Sequence, residues 1–361
     1  METDVLIVGG GLSGLALASH LERTGRPFLL CEARGRLGGR VLSHPRDGHH
    51  YDLGPAWFWP GQPRMAALVD ALSLPVFEQY ASGRMVFQDG SGAITRHIEM
   101  ATMAGSLRID GGLGRIIEGL SGMIGAENLL PGHQVTGITR TATGFTVQVQ
   151  TAMDVHQITA STIVLALPPR IAAEAIRFDP PLPDSATTAM RRVPTWMAGH
   201  AKVVAIYDTP FWREAGLNGD AMSHTGPLAE VHDASPADAS SGALFGFVST
   251  PPAGRRDASA FKAQALAHLV DLFGPEAGTP KDLILRDWAF DRFTAVLADQ
   301  QPPAGHPAYG MPAELTGLCD GGLHFASSEM GATFGGFLEG ALEAAEAASP
   351  ALAARSARSP L

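Results

Sequence analysis

The sequence predicts an α/β protein of two lobes: a Rossmann-like, three-layer dinucleotide-binding domain and a second, mostly antiparallel α+β domain. Three observations carry that expectation. A short apolar strand at residues 5–8 runs straight into Gly9, Gly11 and Gly14, and is followed by a helix, a second strand and an acid at Glu32. Stretches such as 76–98 read as short strands broken by turn signals at Gly83 and Asp89-Gly90, as antiparallel sheets require. The 361 residues exceed one comfortable core, so two lobes are expected.

Residues 5–8 are all β-formers of the kind buried on both faces of a parallel sheet. The G-x-G-x-x-G spacing that follows assigns three tasks: Gly9 permits the tight turn, Gly11 lets the backbone approach a pyrophosphate, and Gly14 lets the next helix pack against the sheet. Ser13 lies in the same loop and joins the cofactor-binding candidates. The helix runs to about Arg23 and stops at Gly25. A strand at 27–31 then delivers Glu32, eighteen residues after Gly14, where an acid meets the ribose hydroxyls. Arg34, Arg36, Gly38, Gly39 and Arg40 follow at once. Backbone-approach glycines beside guanidiniums suit a second pass along a diphosphate, which a flavin dinucleotide needs and a nicotinamide does not. Residues 41–44 and 49–53 flank Asp47-Gly48, a hairpin turn signal, and Gly54-Pro55-Ala56-Trp57 ends that strand.

The pattern E-A-R-x-R-x-G-G-R from Glu32 to Arg40 resembles the flavin-containing amine oxidase family, whose relatives include polyamine, amino-acid and protoporphyrinogen oxidases. Asp52, Leu53 and Gly54 match that family's next block. The resemblance implies bound FAD, with the backbone of Gly54, Pro55 and Ala56 along the flavin and Trp57 near its ring. By residue type alone, Trp57, Phe58 and Trp59 are equally well read as core aromatics.

A helix is expected at 64–72, and another at 113–124, where Leu113, Ile116, Ile117, Leu120 and Ile124 recur at helical spacing and return the chain to the cofactor lobe. Strands at 133–140 and 145–150 pair across Thr143-Gly144. Within the first, Val135 matches the family position whose backbone holds the adenine. Residues 163–167 form a buried-type strand closed by Pro168-Pro169, as in the family's A-L-P-P segment. After a crossing at 180–183, composition marks 232–242 and 251–257 as surface loops. An amphipathic helix at 261–273 ends at Gly274. A strand at 323–325 leads into Ala326-Ser327-Ser328-Glu329 and then Gly335-Gly336-Phe337-Leu338-Glu339-Gly340-Ala341, resembling the family's closing blocks. That resemblance implies Glu329 beside the diphosphate and ribityl chain and Phe337 against the ring. An Ala-rich helix starting near Phe337 would offer its positive end to the pyrimidine carbonyl. The expected division is a FAD-binding domain of 1–75, 111–180 and 313–350, a substrate domain of 76–110 and 181–312, and a flexible tail at 351–361.

Lys202 is the candidate catalytic residue, a lone lysine in the apolar strand His200-Ala201-Lys202-Val203-Val204. The following Tyr207-Asp208-Thr209-Pro210-Phe211-Trp212 resembles the family's Y-x-x-P-F-W segment, which lies shortly after the lysine that holds a water at flavin N5. A solvent-facing lysine at a strand edge is the other reading. Counting back from Pro302-Pro303, the family's position for a covalent flavin cysteine falls on Val296, so FAD is expected to be non-covalent. The neighbouring aromatic-cage position falls on Leu297 and its partner on Phe337. Leu297, Phe334 and Trp288 are therefore the substrate-pocket candidates, with Phe290, Phe293 and Tyr309 able to rebuild an aromatic lining. Arg84, Arg108 and Arg292 stay unassigned. The chain is shorter than typical members, which suggests a more open site or one completed in a homo-oligomer.

A net charge of -10 leaves no footprint for nucleic acid or an anionic membrane. No segment reaches bilayer length, and the first residues lack the basic start of a signal peptide. The two cysteines make no disulfide framework, so the cytoplasm is the default setting. Thirteen histidines show no metal-ligand spacing, and no metal is expected. Neither G-x-S-x-G nor a P-loop occurs, which removes the usual arguments for a hydrolase or NTPase. The expected activity is FAD-dependent oxidation of an amine or amino-acid-like substrate to an imine by hydride transfer to flavin N5, with dioxygen reduced to hydrogen peroxide. A dehydrogenase or desaturase using another electron acceptor, or a FAD-binding protein without turnover, are the alternatives.

Overall fold

The computed structural model describes residues 1–355. Its first sheet has eight strands, in the order Arg177–Asp179, Gln134–Arg140, Phe145–Gln150, Val155–Leu165, Glu2–Val8, Phe28–Glu32 and Leu129–Pro131, with Leu323–Phe325 also paired to Val155–Leu165. The centre is parallel: Val5 lies opposite Phe28 on one side and Thr162 on the other. Residues 5–8 are at most 5% exposed, because helices cover one face and further elements the other. On one face Leu15, Ile116 and Leu342, from helices Leu12–Arg23, Gly114–Gly122 and Leu338–Arg355, form one apolar cluster. On the other, Ile138, Val147, Ile158, Met190 and Leu315 form a second.

The second sheet has seven strands, in the order Asp282–Asp287, Ala201–Tyr207, Gly242–Val248, Leu228–Asp233, Leu217–Ser223, Arg84–Gln88 and Ile94–Ile98. All neighbours are antiparallel except Leu217–Ser223 with Arg84–Gln88. Helix Ala258–Phe273 packs Phe261 and Leu269 among Trp212 and Leu244 on one face. Asp257 caps that helix, accepting from the amides of Ser259 and Ala260. On the opposite face Val204, Ile206 and Phe245 pack against Tyr51, Leu53 and Trp57. The second sheet thus stands directly over the chain that leaves the hairpin Ser43–Arg46 and His49–Asp52. That hairpin turns at Asp47 and Gly48, both at positive φ (49° and 82°), the turn that matches strand twist.

Four expectations change. The strand expected at 163–167 is the end of an eleven-residue strand, Val155–Leu165, whose first half pairs in a hairpin and alternates between exposed and buried. The polar run 232–242 is not all surface loop: His232 and Asp233 end a strand, and residues 232–235 are buried. Its polarity serves an internal network, in which Asp233 accepts from Trp212 Nε1 at 2.8 Å, Arg213 Nε at 2.9 Å and the Ser235 amide at 2.8 Å. Residues 251–257 contain a 3₁₀ turn, Pro252–Arg255, with Pro252 and Arg255 buried, the arginine held 2.6 Å from Asp287. Finally, the last helix passes through Pro350 to Arg355. It takes up the start of the tail expected at 351–361, the rest of which lies outside the described residues. Among the described residues no helix is long and apolar enough to cross a membrane.

Candidate cofactor and active site

A cavity of about 810 Å³ opens between the two sheets, within the range of small-molecule sites. The glycine loop builds one end. A Cβ on Gly9, which sits at φ 111°, would lie 2.6 Å from the Ala166 carbonyl oxygen, and one on Gly14 would lie 2.0 Å from the Gly9 carbonyl oxygen. Both are barred by backbone. A Cβ on Gly11 would meet nothing within 4 Å, and Gly11 lines the cavity. Gly14 therefore closes the helix onto the loop from behind, while Gly11 leaves its face open. That is the arrangement a diphosphate needs at a helix N-terminus. Ser13 lines the cavity and donates its hydroxyl to the Ala326 carbonyl. Glu32 is 3% exposed, accepts from the Gly10 amide at 2.8 Å and the Arg34 amide at 2.9 Å, and lies on the cavity wall near Val135.

The two arginines tie the walls together. Arg34 reaches across to Asp291 at 2.5 Å and to the Thr294 hydroxyl at 2.8 Å. Arg40, on the cavity wall, donates to both oxygens of Glu329 at 2.7 and 3.2 Å and to Ser328 at 2.9 Å. Glu329 is fully buried behind Arg40 and does not itself line the cavity. Burial works against its charge, but the Arg40 guanidinium and the Ser328 hydroxyl hold the carboxyl below its ordinary value.

Midway along, Gly54, Pro55, Ala56 and Trp57 line the cavity. Lys202 faces them from the second sheet, 4% exposed. Its Nζ donates to the Gly54 carbonyl at 2.6 Å and the Asp52 carbonyl at 3.3 Å, and sits 4.0 Å from the centre of the Phe245 ring. The solvent-facing lysine is excluded. Burial pushes its pKa down to about 7; Arg108 pushes the same way and the Asp52 carboxylate opposes. Trp57 and Trp59 line the cavity, whereas Phe58 is a core residue. Trp57 Nε1 donates to Gln79 at 2.8 Å. Trp288 also lines the cavity, its Nε1 bonded to the Leu53 carbonyl at 3.2 Å and the Arg286 guanidinium 4.0 Å over its ring. Phe337 lines it too, stacked on His306 at 4.8 Å and 15°, and helix Leu338–Arg355 begins at the next residue.

Two substrate-pocket candidates are misplaced. Leu297 is 79% exposed and off the cavity wall. The short turn Leu297–Gln300 is anchored by Asp299, which binds Arg170 and the amides of Thr195 and Val296. With that carboxylate buried, Leu297 is turned to solvent and Gln300 to the cavity. Phe334 also lies off the wall, in a loop whose amides bind the Glu343 carboxylate. Of the other aromatics, Phe293 lines the cavity, Phe290 is 44% exposed, and Tyr309 donates its hydroxyl to the Pro194 carbonyl. Among the unassigned arginines, Arg108 is buried and donates to the carbonyls of Ala234 and Ser235. Sequence reasoning missed Trp196, His200 and Glu230, all on the cavity wall. For Glu230 there was a signal: Glu230 and His232 alternate with the apolar Val231 along a strand that begins at Leu228.

The donor set suits a flavin dinucleotide: an open glycine cradle at a helix N-terminus, a buried acid, guanidiniums along the wall and an apolar middle. Residues 12–91 and 80–353 match the family model described as flavin containing amine oxidoreductase. A Mycobacterium tuberculosis protein named as a flavin-containing monoamine oxidase is 25% identical, with 97% of this chain and 96% of that protein covered. The L-amino acid dehydrogenase of Synechocystis is 24% identical, with 97% and 94% covered. A solved structure of wild-type putrescine oxidase bound to putrescine shares the fold, with a TM-score of 0.80 at 22% identity, covering 99% of this chain and 100% of that one.

Proposed function

The chain belongs to the flavin-containing amine oxidoreductase family, with FAD as its non-covalent cofactor, and from that premise we propose that it oxidises an amine or amino-acid-like substrate to an imine. Bound FAD would supply the two-electron acceptor for a hydride from the carbon next to nitrogen, with dioxygen as the final acceptor and hydrogen peroxide as the product. The chain's own residues do the rest. In this reading Gly9, Gly11 and Ser13, with Gly14 closing the loop from behind, hold the diphosphate, Glu32 the ribose and Val135 the adenine. Arg34 and Arg40, the latter held by Glu329, neutralise and enclose the anionic half. Gly54 to Trp57 and Phe337 enclose the ring. Residues 1–75, 111–180 and 313–350 form the cofactor lobe, and 76–110 and 181–312 the substrate lobe.

Lys202 is the observation that carries the reading. A buried ammonium whose proton comes and goes near neutral pH can stabilise negative charge as dioxygen is reduced, and can supply or accept a proton there. Trp57, Trp288 and Phe337 make the surrounding wall apolar, which favours the neutral amine whose lone pair drives hydride loss. Glu230 gives the outer wall one carboxylate, and suits a substrate that arrives as a cation.

The test is an anaerobic bleaching screen of the yellow protein against monoamines, polyamines and amino acids, with air readmitted to every well that bleaches. Bleaching by one amine class and rapid return of colour in air is the expected result. Bleaching without return would favour a dehydrogenase with another acceptor, a reading that the likeness to an L-amino acid dehydrogenase supports. No bleaching by any amine would overturn the proposal.

A further inference from the structure

Behind the cavity wall lies a buried cluster that the cofactor cradle does not use. Glu230 faces the cavity with its side chain 41% exposed. Two residues on, His232 is 1% exposed. Its Nδ1 lies 3.0 Å from Oδ1 of Asp220, and its Nε2 lies 3.5 Å from Oε2 of Glu230. Asp220, itself 2% exposed, accepts from the Thr102 amide at 2.7 Å and hydroxyl at 2.9 Å on its other oxygen. Trp57 meets the imidazole edge-on at 5.1 Å, and Phe245 packs at 5.3 Å.

Burial alone would strip His232 of its proton, but the flanking carboxylates outweigh it and hold the imidazole above its ordinary value. A buried Asp–His ion pair stabilises a fold poorly compared with apolar residues of the same volume. This one leads somewhere: the chain of contacts from Thr102 through Asp220 and His232 ends at Glu230, on the cavity. We propose that His232, fixed by Asp220, is a residue that acts through Glu230: its charge sets the field of that carboxylate at the cavity wall and so controls how strongly the cavity attracts a cationic substrate. The inference rests on the reading of the substrate as an amine that binds in this cavity.

The geometry dictates a pH signature. Charged His232 stands 3.5 Å from Glu230 as an ion pair, with no hydrogen bond between Nε2 and the carboxylate, and offsets the carboxylate's charge. When it loses a proton, the one on Nδ1 stays with Asp220 and the positive charge behind Glu230 is gone. Cation binding should therefore strengthen as pH rises through the His232 pKa. Lys202 faces the same Phe245 ring from the neighbouring strand, and its loss of a proton near 7 acts in the same sense. Asp233 is occupied by Trp212 and Arg213, and Arg108 by two carbonyls. The effect is thus read as the difference between wild type and His232→Gln, in which Lys202 is unchanged.

The experiment titrates the FAD-loaded protein with benzyltrimethylammonium, whose charge does not vary with pH, and follows the flavin spectrum between about pH 6 and about pH 9. His232→Gln should bind roughly tenfold more tightly at the acid end, as expected when a like charge is removed from beside the bound cation, with the difference shrinking toward the alkaline end. Glu230→Gln should bind weakly at every pH. Asp220→Asn keeps a partner for Nδ1 but removes the charge that favours imidazolium, and should move the step to lower pH. A ratio of wild type to His232→Gln affinities that stays constant across pH would overturn the inference. Should His232→Gln fail to retain FAD, an unmoved step in Asp220→Asn overturns it instead. If wild type does not bind the quaternary ammonium at any pH, this inference falls, while the amine reading stands or falls by the bleaching screen; binding without a His232 effect overturns the inference alone.

Discussion

Replacing Lys202 by methionine removes one charge while keeping most of the side-chain volume. The ammonium is held at about 7 against an ordinary 10.5, which places roughly 5 kcal/mol against its charged form. Near neutral pH the group is close to half protonated, and negative charge forming beside it draws the proton on. Removing one preorganised donor from an apolar site lowers a rate on the order of hundredfold. In a rapid-mixing experiment, Lys202→Met reduced anaerobically with substrate should recover its colour in air about a hundred times more slowly than wild type. Anaerobic bleaching should change far less. Wild-type recovery should be fastest below about pH 7, where Lys202 is charged, and slow as pH rises through that value. The sign for stability follows from the same shift. Unfolding returns the lysine to its ordinary value, so the folded state is penalised in full below about 7 and relieved as pH rises toward 10.5. Lys202→Met should therefore raise the melting temperature over wild type most at acid pH, partly offset by the lost hydrogen bonds to Gly54 and Asp52. Recovery in air within about twofold of wild type, worth only some 0.4 kcal/mol, would refute the role given to this lysine.

Five further substitutions separate binding from folding. Gly11→Val projects into open space, so the apoprotein's melting temperature should hold while FAD retention after gel filtration falls. Gly14→Ala, whose Cβ would stand 2.0 Å from the Gly9 carbonyl oxygen, should lower the apoprotein's own melting temperature, at a cost of about 1–3 kcal/mol. Glu329→Gln leaves Arg40 without its buried counter-charge and should cost about 3–5 kcal/mol in urea unfolding. Leu297→Ala, at an exposed position, should change neither KM nor stability beyond about 0.5 kcal/mol, whereas Trp288→Ala should alter substrate binding and lose about 3–5 kcal/mol.

The cofactor end was the more legible. Gly9, Gly11, Gly14 and Glu32 fall within twenty-four contiguous residues, and the tasks proposed for them depend on local backbone geometry and fixed spacing. The substrate end was less so. Leu297 was placed by counting back from a proline pair, and such a count knows nothing of the buried Asp299 that turns the segment outward. Glu329 was expected on the cavity and lies one layer behind it, because Arg40 occupies the intervening space. The run from His232 looked like loop because composition cannot tell a solvated polar residue from one satisfied inside the fold, as Asp233 is.

Periodicity and glycine spacing are properties of neighbouring residues, and they were enough to specify the central strands, the first helix, the cradle and the class of cofactor. Lys202 was visible as an odd residue in an apolar strand. What the residue does depends on Asp52, Gly54 and Phe245, which approach it from two other parts of the chain. The desolvation that brings its proton into the neutral range arises only when the second sheet closes over the hairpin exit, and the chain from Asp220 through His232 to Glu230 only when strands Leu217–Ser223 and Leu228–Asp233 pair. Charge and solvation are set by everything packed around a group, and that packing is decided in three dimensions.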